Sequence, residues 1–253
     1  MKCPICNTET KQIGLNTFIN KKLKLMECPN CELIMLDLDS HKISQVEIDL
    51  FYRNTKYYVE KGLFLNLRKA FSRLRGQYYK AGAFLDQSLT LRDLNILELG
   101  CGRGEFLKEL QRDNFCIGVD SNKHYYDLYY KGSLIDFYNL TIEGYVSRHD
   151  LLYDDLIILA DVLEHLSNPV ETLSKIHTKT SNRVKLYIKV PNCGDGVIMQ
   201  KSLKEPHISH FTTNSILELL DKTGFKAISM QVNIAIFLLV EKKPKDLNTL
   251  LIT

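Results

Sequence analysis

The sequence of 253 residues lacks the compositional features of collagen-like, low-complexity, polybasic and membrane-spanning proteins. It contains only 6 prolines and 13 glycines, which excludes collagen-like and low-complexity chains. Its 33 lysines and arginines stand against 30 aspartates and glutamates, and this small excess excludes a polybasic nucleic-acid-binding arm. It has no run of about 18 apolar residues, which a membrane-spanning helix would need. With 45% hydrophobic and 25% charged residues, the composition is that of a folded globular protein.

The start of the sequence, Met1-Lys2-Cys3-Pro4, also lacks the apolar stretch of a secretory signal. We therefore expect a cytoplasmic protein without membrane insertion. In that reducing compartment the seven cysteines are not expected to form a disulfide framework. Three of them are scattered along the chain, whereas four crowd its beginning, and the four need an explanation of their own.

The four N-terminal cysteines, Cys3, Cys6, Cys28 and Cys31, form two C-x-x-C pairs with 21 residues between them. This spacing is typical of four thiolates around one tetrahedral Zn²⁺. A segment of about 40 residues cannot bury enough apolar surface to fold unaided, so metal binding would supply about 10 kcal/mol or more. A thioredoxin-like redox pair needs only one such motif, in a strand-helix context that is absent here. We predict a structural zinc ribbon over residues 1–40.

Residues 41–90 are predicted to form a helical arm, because their apolar residues recur at helical spacing. The arm also carries a run of basic residues between positions 68 and 80. These side chains form either a solvated helix face or a contact for an anion such as phosphate.

A strand, a tight turn and a helix follow each other from Asn95 onward. The turn contains Gly100, Gly102 and Gly104, and glycines there let the backbone pass close to a ligand. The helix start offers unpaired N–H groups to the same ligand. A second strand ends at Asp120, 20 residues after Gly100, where a carboxylate can bind two ribose hydroxyls. This pair of features predicts an adenosine-containing cofactor.

The glycine spacing, G-x-G-x-G, differs from the G-x-G-x-x-G of dinucleotide-binding enzymes. The whole run Glu98-Leu99-Gly100-Cys101-Gly102-Arg103-Gly104 resembles the first motif of class I S-adenosylmethionine-dependent methyltransferases. The likeness continues over about residues 94–242. Arg148-His149-Asp150-Leu151 looks like the third motif, which lies beside the adenine, and Asp161 to Pro169 is similar to the D-x-x-E-H-x-x-x-P signature of small-molecule members.

This resemblance implies an α/β fold for residues 91–253, with a Rossmann-like seven-stranded sheet and helices on both faces. It also implies a set of cofactor-binding residues, namely Glu98, Gly100, Cys101, Gly102, Gly104, Asp120, Asp150 and Leu151. Tyr58, ahead of this domain, either binds the cofactor carboxylate or packs the arm onto the sheet. A zinc ribbon before such a domain resembles sugar methyltransferases of antibiotic and surface-polysaccharide pathways and, more distantly, enzymes that methylate ribosomal RNA.

His165 is the best candidate to activate an acceptor hydroxyl, because it follows the carboxyl end of a strand and lies beside Glu164 and Asp161. It would act as a base or as a metal ligand. Together the three match positions at which some quinone-pathway relatives bind a divalent cation. The alternative is that Glu164 and His165 only cap a helix and orient the loop. His207 and His210 either contact the substrate or anchor a loop.

The leading hypothesis is therefore O-methylation of a small sugar-containing or phosphorylated precursor of a surface polysaccharide such as a capsule, with a phosphoramidate group as one acceptor. One alternative is an RNA methyltransferase that uses the ribbon to recognise RNA, which the small net charge disfavours. Another is a non-catalytic cofactor-binding module, which the intact glycine turn and Asp120 disfavour. The oligomeric state cannot be derived from the sequence.

Overall fold

The structure is a computed structural model that describes residues 1–54, 84–85, 89–152, 154–194 and 207–244. The predicted cofactor contact Tyr58 and the basic run between positions 68 and 80 lie outside these residues. Within them, no helix is long and apolar enough to cross a membrane.

A seven-stranded sheet forms the larger part of the molecule and confirms the predicted fold class. In chain order its strands are β4 Asn95–Leu99, β5 Phe115–Val119, β6 Asp136–Tyr138, β7 Leu156–Ala160, β8 Lys185–Pro191, β10 Phe225–Val232 and β11 Ala235–Lys242. Their spatial order is β10-β11-β8-β7-β4-β5-β6. The strands from β4 to β8 pair in parallel, whereas β11 runs antiparallel to both β8 and β10.

The central strands of this sheet are mostly apolar because both of their faces are covered. Leu156 to Leu159 of β7 and Leu186 to Val190 of β8 are buried throughout. Packing of this kind makes the sheet rigid, so the loops at the carboxyl ends of β4, β5 and β7 are held in fixed positions.

In chain order the described α-helices are α1 Gln45–Asn54, α2 Glu105–Leu110, α3 Ile142–Arg148, α4 Pro169–Lys179 and α5 Thr213–Lys222. Two of them begin at side-chain caps. Asn168 accepts a hydrogen bond from the Glu171 N–H ahead of α4, and Thr212 and Ser215 form a reciprocal capping box at α5. A single turn of 3₁₀-helix, Leu163–His165, follows β7.

A second, four-stranded antiparallel sheet contains the N-terminal segment. Three of its strands come from that segment: β1 Lys11–Phe18, β2 Lys21–Glu27 and β3 Ile34–Leu36. The fourth, β9 Ser209–His210, comes from the far end of the chain and pairs with β3. The N-terminal segment therefore shares a sheet with the residues that follow β8.

The N-terminal segment also shares a hydrophobic core with the larger sheet. Cys3, Ile5 and Leu33 belong to the same buried cluster as Leu219 and Leu220 of α5. Lys222 at the end of α5 donates hydrogen bonds to the carbonyl oxygens of Pro4 and Ile5, at 2.9 and 2.6 Å. These contacts attach the four-cysteine segment firmly to the rest of the molecule.

Candidate functional site

The glycine turn after β4 is held against the end of β5. The N–H groups of Gly100 and Cys101 both donate to the Val119 carbonyl oxygen, at 2.8 and 3.0 Å. Gly100, Gly102 and Gly104 have φ of 76°, 52° and 65°, the left-handed region that only glycine adopts easily. A Cβ at Gly100 would lie 2.6 Å from a Val162 methyl carbon, so that glycine is also required by packing.

Gly102 differs from its neighbours because a Cβ added to it would have no atom within 4 Å. The open space on that side of the turn belongs to a cavity, which Gly102 lines. Tyr130 supports the turn from behind, because its hydroxyl donates to the Gly102 carbonyl oxygen at 3.0 Å. The sequence analysis missed Tyr130, since it lies in a segment rich in tyrosine with no motif of its own.

Asp120 is fixed at the end of β5 by two backbone donors. Its Oδ2 accepts from the Gly102 N–H at 2.9 Å, and its Oδ1 accepts from the Asn122 N–H at 2.8 Å. Burial raises the pKa of Asp120 to about 6, against the lowering effect of these two N–H groups. The carboxylate therefore lines the cavity in a fixed orientation, on the same side as the glycine turn.

Glu98, the fourth residue of β4, lies beneath the turn and is almost fully buried. Its Oε2 has no hydrogen-bond partner among the described residues. Burial, followed by the charges of Asp120 and Glu105, raises the pKa of this carboxyl well above its usual value. A buried carboxyl in this state fits a ligand that brings a hydrogen-bond donor or a positive charge.

The cavity has a volume of about 430 Å³ and extends from the glycine turn to the 3₁₀-turn after β7. It brings together several residues that the sequence analysis selected: Glu98, Gly100, Cys101, Gly102, Asp120, Asp161 and His165. Asp150 and Leu151 do not line it, because Leu151 is buried in the core and Asp150 lies 4.0 Å from Lys179 at the surface. The lining at that side comes from Thr141, Ile142 and Glu143 instead.

His165 lies at the far end of the cavity, between two other rings. Its Nδ1 is 3.0 Å from the Tyr52 hydroxyl, and the two ring centroids are 5.2 Å apart. On its other side the His207 ring centroid lies 4.9 Å away. Tyr52 belongs to α1, far from His165 in the chain, and sequence analysis had no local signal for this contact.

Asp161 also lines the cavity, but its carboxylate is paired with Lys189 of β8. Asp161 has a φ of 55°, and its N–H donates to the Lys189 carbonyl oxygen at 2.9 Å. This arrangement turns Asp161 toward β8. The ligand group that the structure assembles around His165 accordingly contains Glu164 and His207 and does not include Asp161.

Glu164 does not line the cavity and is 1% exposed. Neither of its carboxylate oxygens has a hydrogen-bond partner among the described residues. Burial, followed by the charge of Asp161, raises the pKa of Glu164 well above its usual value. The side-chain donor atoms of Glu164, His165 and His207 all lie within 4.8 Å of one another.

His207 and His210 are buried behind His165 and do not line the cavity. Burial lowers the pKa of His207 to about 3 and that of His210 to about 4. Both imidazoles are therefore neutral at physiological pH, the state in which histidine binds metals.

The four N-terminal cysteines form a compact cluster. All four sulfur atoms lie within 4.8 Å of one another, with 3.5 Å between Cys3 and Cys31 and 3.4 Å between Cys6 and Cys28. In each C-x-x-C pair a loop closes by a hydrogen bond to the carbonyl oxygen of the first cysteine, from Asn7 N–H or Glu32 N–H. Four sulfurs at these distances fit one tetrahedral zinc ion.

Comparison with known proteins identifies the larger part of this chain. Residues 67–230, more than half of the sequence, match a family described as a methyltransferase domain. A search of the curated proteins finds no match.

Solved structures share its fold at low sequence identity. Magnesium protoporphyrin IX methyltransferase (ChlM) from Synechocystis PCC 6803, solved with bound SAH, is 15% identical and has a TM-score of 0.59; the match covers 79% of this chain and 100% of that one. The 1,6-didemethyltoxoflavin-N1-methyltransferase of Burkholderia thailandensis is 15% identical, with a TM-score of 0.59 and coverage of 92% and 100%. LaPhzM is 14% identical, with a TM-score of 0.54, and the match covers 75% of this chain but only 62% of LaPhzM.

Proposed function

The chain belongs to the class I S-adenosylmethionine-dependent methyltransferases, and we propose that it methylates an oxygen atom of a small acceptor bound beside His165. One observation carries this proposal. A single cavity is lined at one end by the glycine turn and Asp120 and at the other end by His165. A cofactor and an acceptor that occupy the two ends would meet in the middle of the cavity.

The residues at the glycine turn fit S-adenosylmethionine. The open side of Gly102 leaves room for the cofactor backbone, and the fixed carboxylate of Asp120 can accept hydrogen bonds from both ribose hydroxyls. The unpartnered Oε2 of Glu98 lies where the positively charged methionine part would pass. When bound, the cofactor supplies a methyl group on a sulfonium, which an oxygen nucleophile attacks in line.

His165 activates the acceptor oxygen in this proposal. An imidazole can do so by accepting the hydroxyl proton or by holding a metal ion to which the oxygen binds. Tyr52 and His207 hold the ring on both sides, which keeps its orientation fixed during the reaction. Asp161, which also lines the cavity, is held in place by its ion pair with Lys189.

We propose a sugar-containing or phosphorylated acceptor from surface polysaccharide (capsule) synthesis, with a phosphoramidate as one example. The four-cysteine segment ahead of the methyltransferase domain supports this class, because it resembles the sugar methyltransferases. Among the described lining residues, six carry carboxylates and only Arg103 carries a guanidinium. An anionic acceptor therefore needs a further cation. The same acidic lining weighs against RNA, which needs a basic binding face.

Zinc at Cys3, Cys6, Cys28 and Cys31 is part of the proposal and is supported by the sulfur distances. The proposed division of the chain remains a ribbon (1–40), a helical arm (41–90) and a methyltransferase domain (91–253). The family match begins inside the arm, and the described part of the arm supplies Tyr52 to the cavity. The arm is thus proposed to be a part of the active site.

The first test is calorimetric titration of the zinc-loaded protein with S-adenosylmethionine. Binding is expected for the wild type and, within about threefold, for His165→Ala, because His165 lies at the other end of the cavity. Turnover is then measured as S-adenosylhomocysteine release with sugar phosphates and nucleotide-linked sugars. His165→Ala should lose about 10²- to 10⁴-fold in turnover. Absence of cofactor binding by the wild type would refute the proposal, and near-normal turnover of His165→Ala would refute the role of this residue.

A further inference from the structure

A group of three metal-ligating side chains lies directly behind the acceptor end of the cavity. It consists of Glu164, His165 and His207, whose donor atoms lie within 4.8 Å of one another. Ligand atoms at about 2.0–2.2 Å from a tetrahedral metal ion are about 3.3–3.6 Å apart, so side-chain shifts of up to about an ångström would bring these three donors onto one ion. Two imidazoles and one carboxylate are a common ligand set for divalent transition metals.

The carboxylate of Glu164 is the observation that points to a missing cation. It is 1% exposed, and neither oxygen has a hydrogen-bond partner among the described residues. An ionised carboxylate in such a place is unfavourable unless a positive charge compensates it. Lys189, whose positive charge acts on this carboxyl, is paired with Asp161. A metal ion would satisfy both oxygens.

Backbone hydrogen bonds fix the position of His207 relative to Glu164. The next residue, Ile208, donates its N–H to the Glu164 carbonyl oxygen at 2.8 Å and accepts at its own carbonyl from the Leu36 N–H at 2.9 Å. Ile208 therefore connects the 3₁₀-turn after β7 to strand β3 of the four-cysteine segment. The fold therefore brings the three side chains together.

We propose that Glu164, His165 and His207 form a site for a first-row divalent transition metal, separate from the four-cysteine cluster. Imidazole ligands favour ions of the zinc, iron and cobalt type over Mg²⁺ and Ca²⁺, which prefer oxygen ligands. The site differs from the one expected from the sequence, because His207 takes the place of Asp161. Tyr52 would fix the orientation of His165 in this site. If its hydroxyl accepts a hydrogen bond from Nδ1–H, the lone pair of His165 is on Nε2, which can then bind the metal.

The role of this metal rests on the proposed function, whereas its binding does not. His165 lines the cavity, so an ion bound to it lies next to the acceptor. A metal there would supply the cation that the acidic cavity lacks for an anionic acceptor. It would also lower the pKa of an acceptor oxygen that it binds.

The test is titration with Co²⁺ of protein that carries one equivalent of Zn²⁺, followed by calorimetry and visible spectroscopy. This zinc should occupy the four-cysteine site, because thiolates are the softer ligands, and it should stay there because it binds more tightly than cobalt. We expect one further equivalent of Co²⁺ to bind, with d–d bands but without sulfur-to-cobalt charge transfer. Glu164→Gln and His207→Ala should weaken this binding by more than about 100-fold, since losing a ligand exceeds the 10- to 100-fold effect of outer supports.

Asp154→Asn is the matched control, because Asp154 is a half-buried carboxyl residue that belongs neither to the cavity lining nor to the ligand group. It should bind Co²⁺ like the wild type. Unchanged S-adenosylmethionine affinity in each variant shows that its fold is intact; if His207→Ala fails to fold, the nearly isosteric Glu164→Gln decides. The proposal is overturned if the wild type takes up no further equivalent, or if Glu164→Gln binds Co²⁺ as tightly. Cobalt binding without methyl transfer would refute the proposed function and leave the metal site standing.

Discussion

The two ends of the cavity are built in different ways. At the cofactor end, Glu98, Gly102 and Asp120 come from two neighbouring strands that follow each other in the chain. At the acceptor end, Tyr52 and His165 are 113 residues apart, and His207 comes from a third segment. A local strand-turn-helix unit can form a cofactor site by itself, whereas the acceptor site exists only when distant segments pack together.

The four-cysteine segment contributes to this difference. Its strand β3 pairs with β9 and accepts Ile208 into its hydrogen-bond network, so it supports the position of His207. No strand of this segment pairs with β4 or β5, which carry the cofactor residues. Variants at the cofactor end should therefore change mainly the affinity for S-adenosylmethionine, whereas variants at the acceptor end should change mainly the turnover.

The largest effect is expected for Cys28→Ser, which removes one of four zinc ligands. Structural zinc contributes about 10 kcal/mol or more, as much as the stability of a whole domain, so the N-terminal sheet should unfold. We expect Cys28→Ser to lose turnover, because the segment supports the acceptor end of the cavity, whereas its affinity for S-adenosylmethionine should fall much less. Zinc content, thermal unfolding and calorimetry measure these quantities. Cys116→Ser, a buried cysteine outside the cluster, should keep its zinc, and a zinc-loaded Cys28→Ser protein would contradict the prediction.

At the cofactor end, Asp120→Asn should weaken S-adenosylmethionine binding by about 10- to 100-fold, because hydrogen bonds to a charged group contribute about 1.5–3 kcal/mol. Turnover at saturating cofactor should change little, since the acceptor end is untouched. The control is Asp150→Asn, an exposed carboxylate that the sequence also suggested but that does not line the cavity. Equal loss of affinity in the two variants would show that the cofactor extends to Asp150.

Gly102→Ala tests whether the open side of the turn holds the cofactor. Gly102 and Gly132 both have positive φ, and a Cβ at either would meet no atom within 4 Å. Alanine at either position should therefore lower the free energy of unfolding by a similar amount, about 1–2 kcal/mol. Only Gly102→Ala should also weaken S-adenosylmethionine binding, by about tenfold, which corresponds to 1.4 kcal/mol. If Gly132→Ala weakens binding equally, backbone strain rather than lost space explains the result.

The smallest effect is expected for Tyr52→Phe at the acceptor end. It removes the hydroxyl 3.0 Å from His165 Nδ1 and keeps the ring. A neutral hydrogen bond contributes about 1 kcal/mol, so turnover at saturating cofactor should fall by about fivefold with unchanged cofactor affinity. Tyr126→Phe, at an exposed tyrosine that does not line the cavity, should leave both quantities at wild-type values. A change in cofactor affinity in Tyr52→Phe would mean that the two ends are coupled.

The strand-turn-helix unit with Glu98 and Asp120 could be predicted from the sequence because apolar runs and glycine turns are local properties of the chain. The resemblance of the motifs to a known family implied the fold and pointed to His165. It selected Asp150 and Leu151 where the structure has Thr141, Ile142 and Glu143, since the packing of α3 decides which residues face the cavity. Tyr52 and Tyr130 were missed because an aromatic residue in an apolar pattern carries no sign of its partner.

Backbone preferences and spacings of a few residues were enough to predict the glycine turn and the two cysteine pairs, and the likeness of the motifs to a known family implied the seven-stranded sheet. The pairing of Asp161 with Lys189, the grouping of His207 with Glu164 and His165, and the contact of Tyr52 with the imidazole arise only from tertiary packing. Such contacts join segments up to more than a hundred residues apart. Their geometry is set by how sheets and helices pack, and no short stretch of sequence contains that information.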